Sequence, residues 1–213
     1  MTNRSEIIFI LDRSGSMHGL EEDTIGGFNS LIEKQKKLES PCTVTTVLFD
    51  DQIEVLHRHV NIQKLNPMTR EEYYVRGSTA LLDAVGHTIL NTDIAQRERP
   101  AHLRAEEVMI VITTDGCENA STHFTIEQVK QLIERQKMLY NWEFIFLGAN
   151  MDALSQAESF GIHRDKAVRY HSDKQGTSLN YDVLSDAISM KRQKQTVTKD
   201  WKTRIEKDYN ERK

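Results

Sequence analysis

The sequence predicts a doubly wound α/β fold: a six-stranded, mostly parallel sheet with one antiparallel edge strand and helices on both faces. Three observations point there. Ile7-Ile8-Phe9-Ile10-Leu11 is an unbroken apolar run, as a strand buried on both faces requires. Further β-rich runs alternate with stretches of helical periodicity, the signature of βαβ units. Two β-rich runs, 42–49 and 52–60, are separated only by the Asp50-Asp51 turn signal. That is too short for a crossover helix, so this pair is antiparallel.

The first strand covers about residues 6–11 and ends in Asp12-Arg13-Ser14-Gly15-Ser16-Met17. Glu21-Glu22-Asp23 places negative charge where a helix begins, which suits the helix dipole. Ile25, Phe28, Leu31, Ile32 and Leu38 continue the helical spacing up to Ser40-Pro41. Gly26-Gly27 lies inside that helix, at about 1 kcal/mol per Gly against Ala, and is read as close packing on the sheet. The run from Cys42 to Phe49 is rich in β-branched residues, and Gln52 to Val60 alternates as an edge strand should.

Residues 61–79 are irregular and deliver Gly77-Ser78-Thr79. A helix follows, with Leu81 or Leu82, Val85 and Ile89 inward, and ends at Arg97-Glu98-Arg99-Pro100. The second fully buried strand, Val108–Ile112, carries Thr113-Thr114-Asp115-Gly116 at its end. Thr125 and Gln128 form a capping box, opening a helix predicted to bury Ile126, Val129, Leu132 or Ile133, and Tyr140. A strand from Trp142 to Leu147, a short helix from Met151 to Phe160, and a weak strand from Lys166 to Tyr170 come next. A helix from Asn180 to about Gln195 then turns Tyr181, Leu184 and Ile188 inward.

In an open parallel sheet, ligands bind in the crevice beyond the carboxyl ends of the strands. Asp12, Ser14 and Ser16 sit there, and all three offer oxygen, which suits a hard cation. Asp12-x-Ser14-x-Ser16, followed in order by Thr79 and by Asp115, resembles the metal-ion-dependent adhesion site (MIDAS) of von Willebrand factor A (vWA) domains. The resemblance covers roughly residues 5–190. It implies that Ser14, Ser16 and Thr79 donate hydroxyl oxygens, with Asp12 and Asp115 binding directly or through water. The cation is Mg2+ first, with Mn2+ and Ca2+ as alternatives. Two carboxylates and three hydroxyls leave one electrophilic position open, which a Glu or Asp of a protein partner fills. The resemblance extends to intracellular bacterial or phage-type members that serve AAA+ ATPase assemblies.

Around this set several residues carry two readings. Asp83 is either a helix-surface charge or an acceptor bracing the metal loop. Glu118 and Asn119 either frame the binding face or solvate a loop. Cys117 is a reactive thiol or an inert one, with no His or Lys adjoining it. His57 and His59 are a metal pair or solvated edge residues.

Length, charge and cysteine usage bound the function. A chain of 213 residues buries about 70% of its unfolded surface without staples. The net charge of −4 gives no global basic field for nucleic acid or an anionic membrane. Two cysteines make no disulfide framework, and neither a signal peptide nor a transmembrane run is seen, so a cytoplasmic location is expected. Residues 1–195 are read as one vWA-like domain and 196–213 as a charged amphipathic helical extension. Val197, Trp201, Ile205 and Tyr209 form one narrow stripe on it. The stripe is expected to dock, with a partner or second copy favoured over the domain itself, and with Lys199, Lys202, Glu206 and Asp208 left to water.

The leading function is a metal-dependent protein–protein interaction module, not an enzyme. One alternative is a Mg2+-dependent phosphohydrolase, which lacks a second Asp two residues after Asp12, a phosphate loop and a poised general base. The other is a nucleic-acid-associated protein acting through Lys191, Arg192, Lys194, Lys199, Lys202, Arg204 and Lys207, which are interspersed with acids.

Overall fold

The computed structural model describes residues 4–149 and 152–212. Six strands form one sheet in the order β3-β2-β1-β4-β5-β6. They are β1 (Ser5–Asp12), β2 (Cys42–Phe49), β3 (Ile53–Asn61), β4 (Glu107–Thr114), β5 (Glu143–Gly148) and β6 (Ala167–Arg169). Five run parallel, and β3 pairs antiparallel with β2 at the edge. Every residue of β1 is buried, because its neighbours β2 and β4 lie on either side and helices cover both faces.

The alternation along β1 sorts the core. Ile7, Phe9 and Leu11 face one layer, formed by α1 (Glu21–Lys36), α5 (Lys174–Arg192) and α6 (Thr203–Glu211). Ile8 and Ile10 face the other, formed by α2 (Leu81–Glu98), α3 (Ile126–Tyr140) and α4 (Ala153–Ser159). From β1 the chain winds out to β2 and β3, then returns to the other side at β4. The loops after β1 and β4 therefore diverge, leaving the crevice in which a site forms.

Local chemistry explains most boundaries. The Thr125–Gln128 capping box is present in full at the start of α3. Val129 and Ile133 of that helix are buried, but Ile126 and Tyr140 are exposed, contrary to expectation. Ile126 is the first residue of the helix and Tyr140 the last. Helix α5 starts six residues before the predicted Asn180: Asp173 caps it by accepting from the Gly176 N–H at 2.8 Å. The start expected for α4 at Met151 lies outside the described residues. Gly27 marks a close approach, but to α5 and not to the sheet. A Cβ there would lie 2.2 Å from Cδ2 of Tyr181, whereas one at Gly26 would meet nothing within 4 Å.

The β3 edge corrects the histidine reading. Its pairing with β2 slips twice around Thr46, and His59 takes a left-handed φ of 50°. The bulge sends the two rings to opposite faces. His57 bonds Thr46 at 3.1 Å and stacks on Phe28, while His59 pairs with the buried Glu6. They cannot share a metal, and neither is simply solvated.

The C-terminal stripe docks on its own domain, correcting the leaning toward another chain. Val197 and Ile205 join the core beside α5, and Trp201 packs against it. Lys202, expected in water, is buried: its Nζ donates to the carbonyl oxygens of Arg164 at 2.7 Å and Ala167 at 2.8 Å and pairs with Glu206. No helix among the described residues is long and apolar enough to cross a membrane.

Candidate metal centre

Asp12 closes β1 and is almost wholly buried. Its Oδ1 accepts from the Ser14 N–H at 2.7 Å, so the carboxylate shapes its own loop. Its Oδ2 accepts from the Thr114 hydroxyl at 2.6 Å, a bond that spans the crevice from β4. Tyr73, buried in the otherwise irregular 61–79 stretch, donates its hydroxyl to the Asp12 carbonyl oxygen at 2.5 Å. The loop continues with the Ser14 and Ser16 hydroxyls 3.2 Å apart.

Thr79 is brought in by a backbone splice. Gly15 N–H donates to Gly77 O at 3.2 Å, and Arg76 N–H donates to Arg13 O at 3.0 Å. Gly77 must be glycine, since its φ is +66° and a Cβ would fall 2.1 Å from the Asp51 carboxylate. The splice is reinforced by Asp50, whose Oδ2 accepts from the Nε of the fully buried Arg13 at 2.8 Å and from Arg76 at 2.7 Å. Burial would raise the Asp50 pKa, but the bonds from Arg76, Gln52 and Arg13 outweigh it and hold the carboxyl below its usual range.

The loop after β4 fixes the far side. Asn119 accepts from Thr79 N–H at 2.9 Å through its side chain and returns its own N–H to Thr79 O at 3.0 Å. Glu118 accepts from Leu82 N–H at 2.8 Å in the first turn of α2, and from the Ser121 hydroxyl at 2.7 Å. Both residues therefore brace Thr79 and its helix. Asp83 is buried and accepts the N–H groups of Thr122, His123 and Phe124 at 2.8, 2.9 and 2.8 Å. Burial works against its charge, but these bonds and the His123 ring prevail, and the pKa is lowered. It pins the loop beyond Asp115 and touches none of the metal loop directly. Cys117 is exposed and Cys42 buried, both free thiols.

Three of the five oxygen residues converge on one space. An ideal Cβ at Gly116 would lie 2.7 Å from Thr79 Oγ1, 3.2 Å from Ser16 Oγ and 3.4 Å from Ser14 Oγ. The glycine leaves that space open. Asp115 beside it uses Oδ2 to accept from the Ser172 hydroxyl at 3.0 Å; its Oδ1 is buried without a close hydrogen-bond partner, and the neighbouring Ser16 hydroxyl eases the carboxylate's charge. A buried carboxylate oxygen without a close partner, beside a cradle of three hydroxyls, fits a cation. Burial pushes both carboxyls above the usual range, with the Asp115 charge adding to the effect at Asp12. Among the described residues there is no group of three or more His, Cys, Asp or Glu side chains that could hold a metal. The donor set here depends on hydroxyls, and it suits hard divalent ions over soft ones.

Thr114, Tyr73, Arg13 with Asp50, and Ser172 complete the surroundings and were not singled out from the sequence. The one available signal was Tyr73, an aromatic residue in a polar, irregular stretch.

No protein-family model matches the sequence, and no curated protein matches it either. Solved structures do. Proximal thread matrix protein 1 from the mussel byssus matches at 13% identity with a TM-score of 0.61, over 86% of this chain and 47% of that one. Another structure of that protein, with zinc occupying its MIDAS motif, matches at 15% identity and a TM-score of 0.56, over 86% and 45%. A von Willebrand factor type A protein from Catenulispora acidiphila matches at 13% identity and a TM-score of 0.58, over 87% and 42%. The manganese-loaded TRAP protein of Plasmodium vivax matches at 17% identity and a TM-score of 0.54, over 84% and 72%. The chain spans about half the length of the mussel protein it matches. At these identities the likeness is one of fold, and the fold of this chain is that of the von Willebrand factor A-type domain.

Proposed function

We propose that this chain is a metal-dependent protein-interaction module. Asp12, Ser14, Ser16, Thr79 and Asp115 hold one divalent cation, Mg2+ by preference, and its open position takes a Glu or Asp carboxylate of a protein partner. The observation that carries this reading is the convergence of three hydroxyls on the space at Gly116, beside the Asp115 oxygen that has no close partner. When bound, the cation supplies an electrophilic point of attachment for an anionic oxygen. The chain's own residues do the positioning: Asn119 holds Thr79, Thr114 holds Asp12, and the Arg13–Asp50–Arg76 group locks the splice between the two loops. The zinc and manganese held by two structurally similar proteins support a divalent ion of this kind. The free thiols support a reducing, cytoplasmic setting, and an AAA+ ATPase assembly is the type of partner that the sequence resemblance favours.

The alternatives have less support. Ser14 stands where a phosphohydrolase of this kind would place a second Asp, and no His or Lys hydrogen-bonds to the five oxygen residues among the described residues. Of the basic C-terminal side chains, Lys191, Arg192 and Lys202 are buried, which weakens a nucleic-acid face.

The test is capture of protein partners on the immobilised chain in Mg2+, with EDTA and with Ser16→Ala as controls. Partner retention is expected to vanish in both. Retention unaffected by EDTA contradicts the reading, as does metal-dependent turnover of a phosphate ester that is lost in Asp12→Asn.

A further inference from the structure

Two histidine rings meet where α2 and the start of α3 come together, outside the five residues assigned to the cation. His87 stands one turn after Asp83 on α2, and His123 lies in the loop that leads into α3. Their ring centroids are 5.5 Å apart, and the ring planes are inclined at 63°. An imidazole binds a zinc-type ion through a ring nitrogen at about 2.0–2.1 Å. The ion then sits about 3.2 Å from the ring centre, and two rings at a tetrahedral angle have centres about 5.2 Å apart. The observed spacing is close to that value.

Both rings are held in place. Asp83, itself buried, accepts from the His123 backbone N–H at 2.9 Å, and its Oδ2 lies 3.1 Å from the ring Nδ1. The Thr122 hydroxyl is 3.2 Å from the same nitrogen. With the ring proton on Nδ1 toward the carboxylate, Nε2 keeps a free lone pair. A carboxylate behind a histidine orients a metal-binding imidazole and raises its basicity. The His123 side chain is 68% exposed, so an ion reaches it from solvent. His87 is half-buried, and the Phe124 ring meets it in an edge arrangement with centroids 5.0 Å apart. Phe124 comes this close to α2 because Gly86 has no side chain: a Cβ there would fall 2.6 Å from the Phe124 ring. The His87 ring makes no hydrogen bond among the described residues. His59 borders one small cavity together with His87 but is committed to Glu6, so it is not a third ligand.

We propose that His87 and His123 form a second cation site, which takes Zn2+ or a similar transition-metal ion, with Asp83 orienting His123 and water completing the coordination shell. Imidazole nitrogen suits Zn2+, Cu2+ and Ni2+, whereas hydroxyl and carboxylate oxygens suit Mg2+ and Mn2+. The site is therefore independent of the hydroxyl-rich centre at the strand ends and is selective for a different class of ion. An ion bridging the two rings ties α2 to the 122–124 segment that Asp83 already pins.

The test uses the full chain, with Zn2+ as the probe and Mg2+ in excess. Uptake is followed by calorimetry, and NMR of the ring nitrogens shows which histidines respond. Wild type, Asp12→Ala, His87→Gln and His123→Gln are compared. One equivalent is expected to bind in wild type and in Asp12→Ala, shifting the ring nitrogens of His87 and His123 together and leaving the other histidines unchanged. Each glutamine variant should bind at least about tenfold more weakly, since losing even a group that only orients a ligand costs that much. His123→Gln alters an exposed ring and keeps the backbone bond to Asp83, so it decides the matter even where His87→Gln fails to fold. Zinc uptake lost in Asp12→Ala places the ion in the hydroxyl-rich centre and overturns the proposal. A wild type that binds no zinc, a shift at only one of the two rings, or undiminished affinity in His123→Gln overturns it as well.

Discussion

At the scale of single residues, the five side chains proposed to hold a cation stand out in the sequence, and the groups that hold their loops do not. Asp12, Ser14, Ser16, Thr79 and Asp115 announce themselves by type and by their place at strand ends. Thr114, Tyr73 and Asp50 act across long sequence separations, so no local pattern shows that Thr114 will bond Asp12 or that Arg13 will be buried on Asp50. Asp83 illustrates the difference: the sequence leaves it open between a helix-surface charge and a brace for the loop at Asp12, whereas three backbone N–H groups of the 122–124 segment claim it. Asp83→Asn removes the charge and one acceptor, and is expected to destabilise the fold by about 1.5–3 kcal/mol, the range for hydrogen bonds to a charged group. The pH dependence follows from the lowered pKa. A carboxyl whose folded value lies below its unfolded value contributes fully above the unfolded value and loses its contribution as pH falls through the folded one. Urea unfolding of wild type and variant should therefore converge in acid. A gap that does not narrow on acidification would contradict this role.

At the scale of elements, apolar and β-rich runs, the alternation at 52–60 and helical periodicity mark all six strands and the order of the helices. What escaped were features decided by partners. The first turns of α5 carry Gly176, Thr177 and Ser178, poor helix formers with no apolar stripe, and only the Asp173 cap and the packing behind it make them helical. The glycine pair in α1 separates two effects of similar size. Ala gains about 1 kcal/mol over Gly in a helix, while overpacking against a fixed ring costs about 1–3 kcal/mol. At Gly26 the new methyl meets nothing, so Gly26→Ala should stabilise by close to the full propensity term. At Gly27 the methyl would overlap Tyr181, so Gly27→Ala should destabilise. Denaturant midpoints that move the same way in both variants would show that the α1–α5 contact is not tight.

At the scale of the whole molecule, the strand order puts the ends of β1 and β4 on either side of a crevice, and the chain spends its loops lining it. The fold class could be read directly from the alternation of elements. The destination of the C-terminal stripe could not, because a narrow apolar face does not say which surface will cover it. Here the covering surface is the chain's own, with Val197 and Ile205 in the core and Lys202 bonded to two carbonyl oxygens. Truncation after Gln195 should therefore lower stability, with about 1.5–3 kcal/mol lost for each fully buried aliphatic side chain removed. An unchanged urea midpoint would show the segment to be idle. The central claim, that five oxygen residues hold a divalent cation, is tested most directly by calorimetric titration of Mg2+ and Mn2+ into wild type and Asp12→Ala. The expected result is a single site in the wild type and none in the variant, with both folded by circular dichroism. Equal binding by the two proteins, or no binding by the wild type, would contradict it.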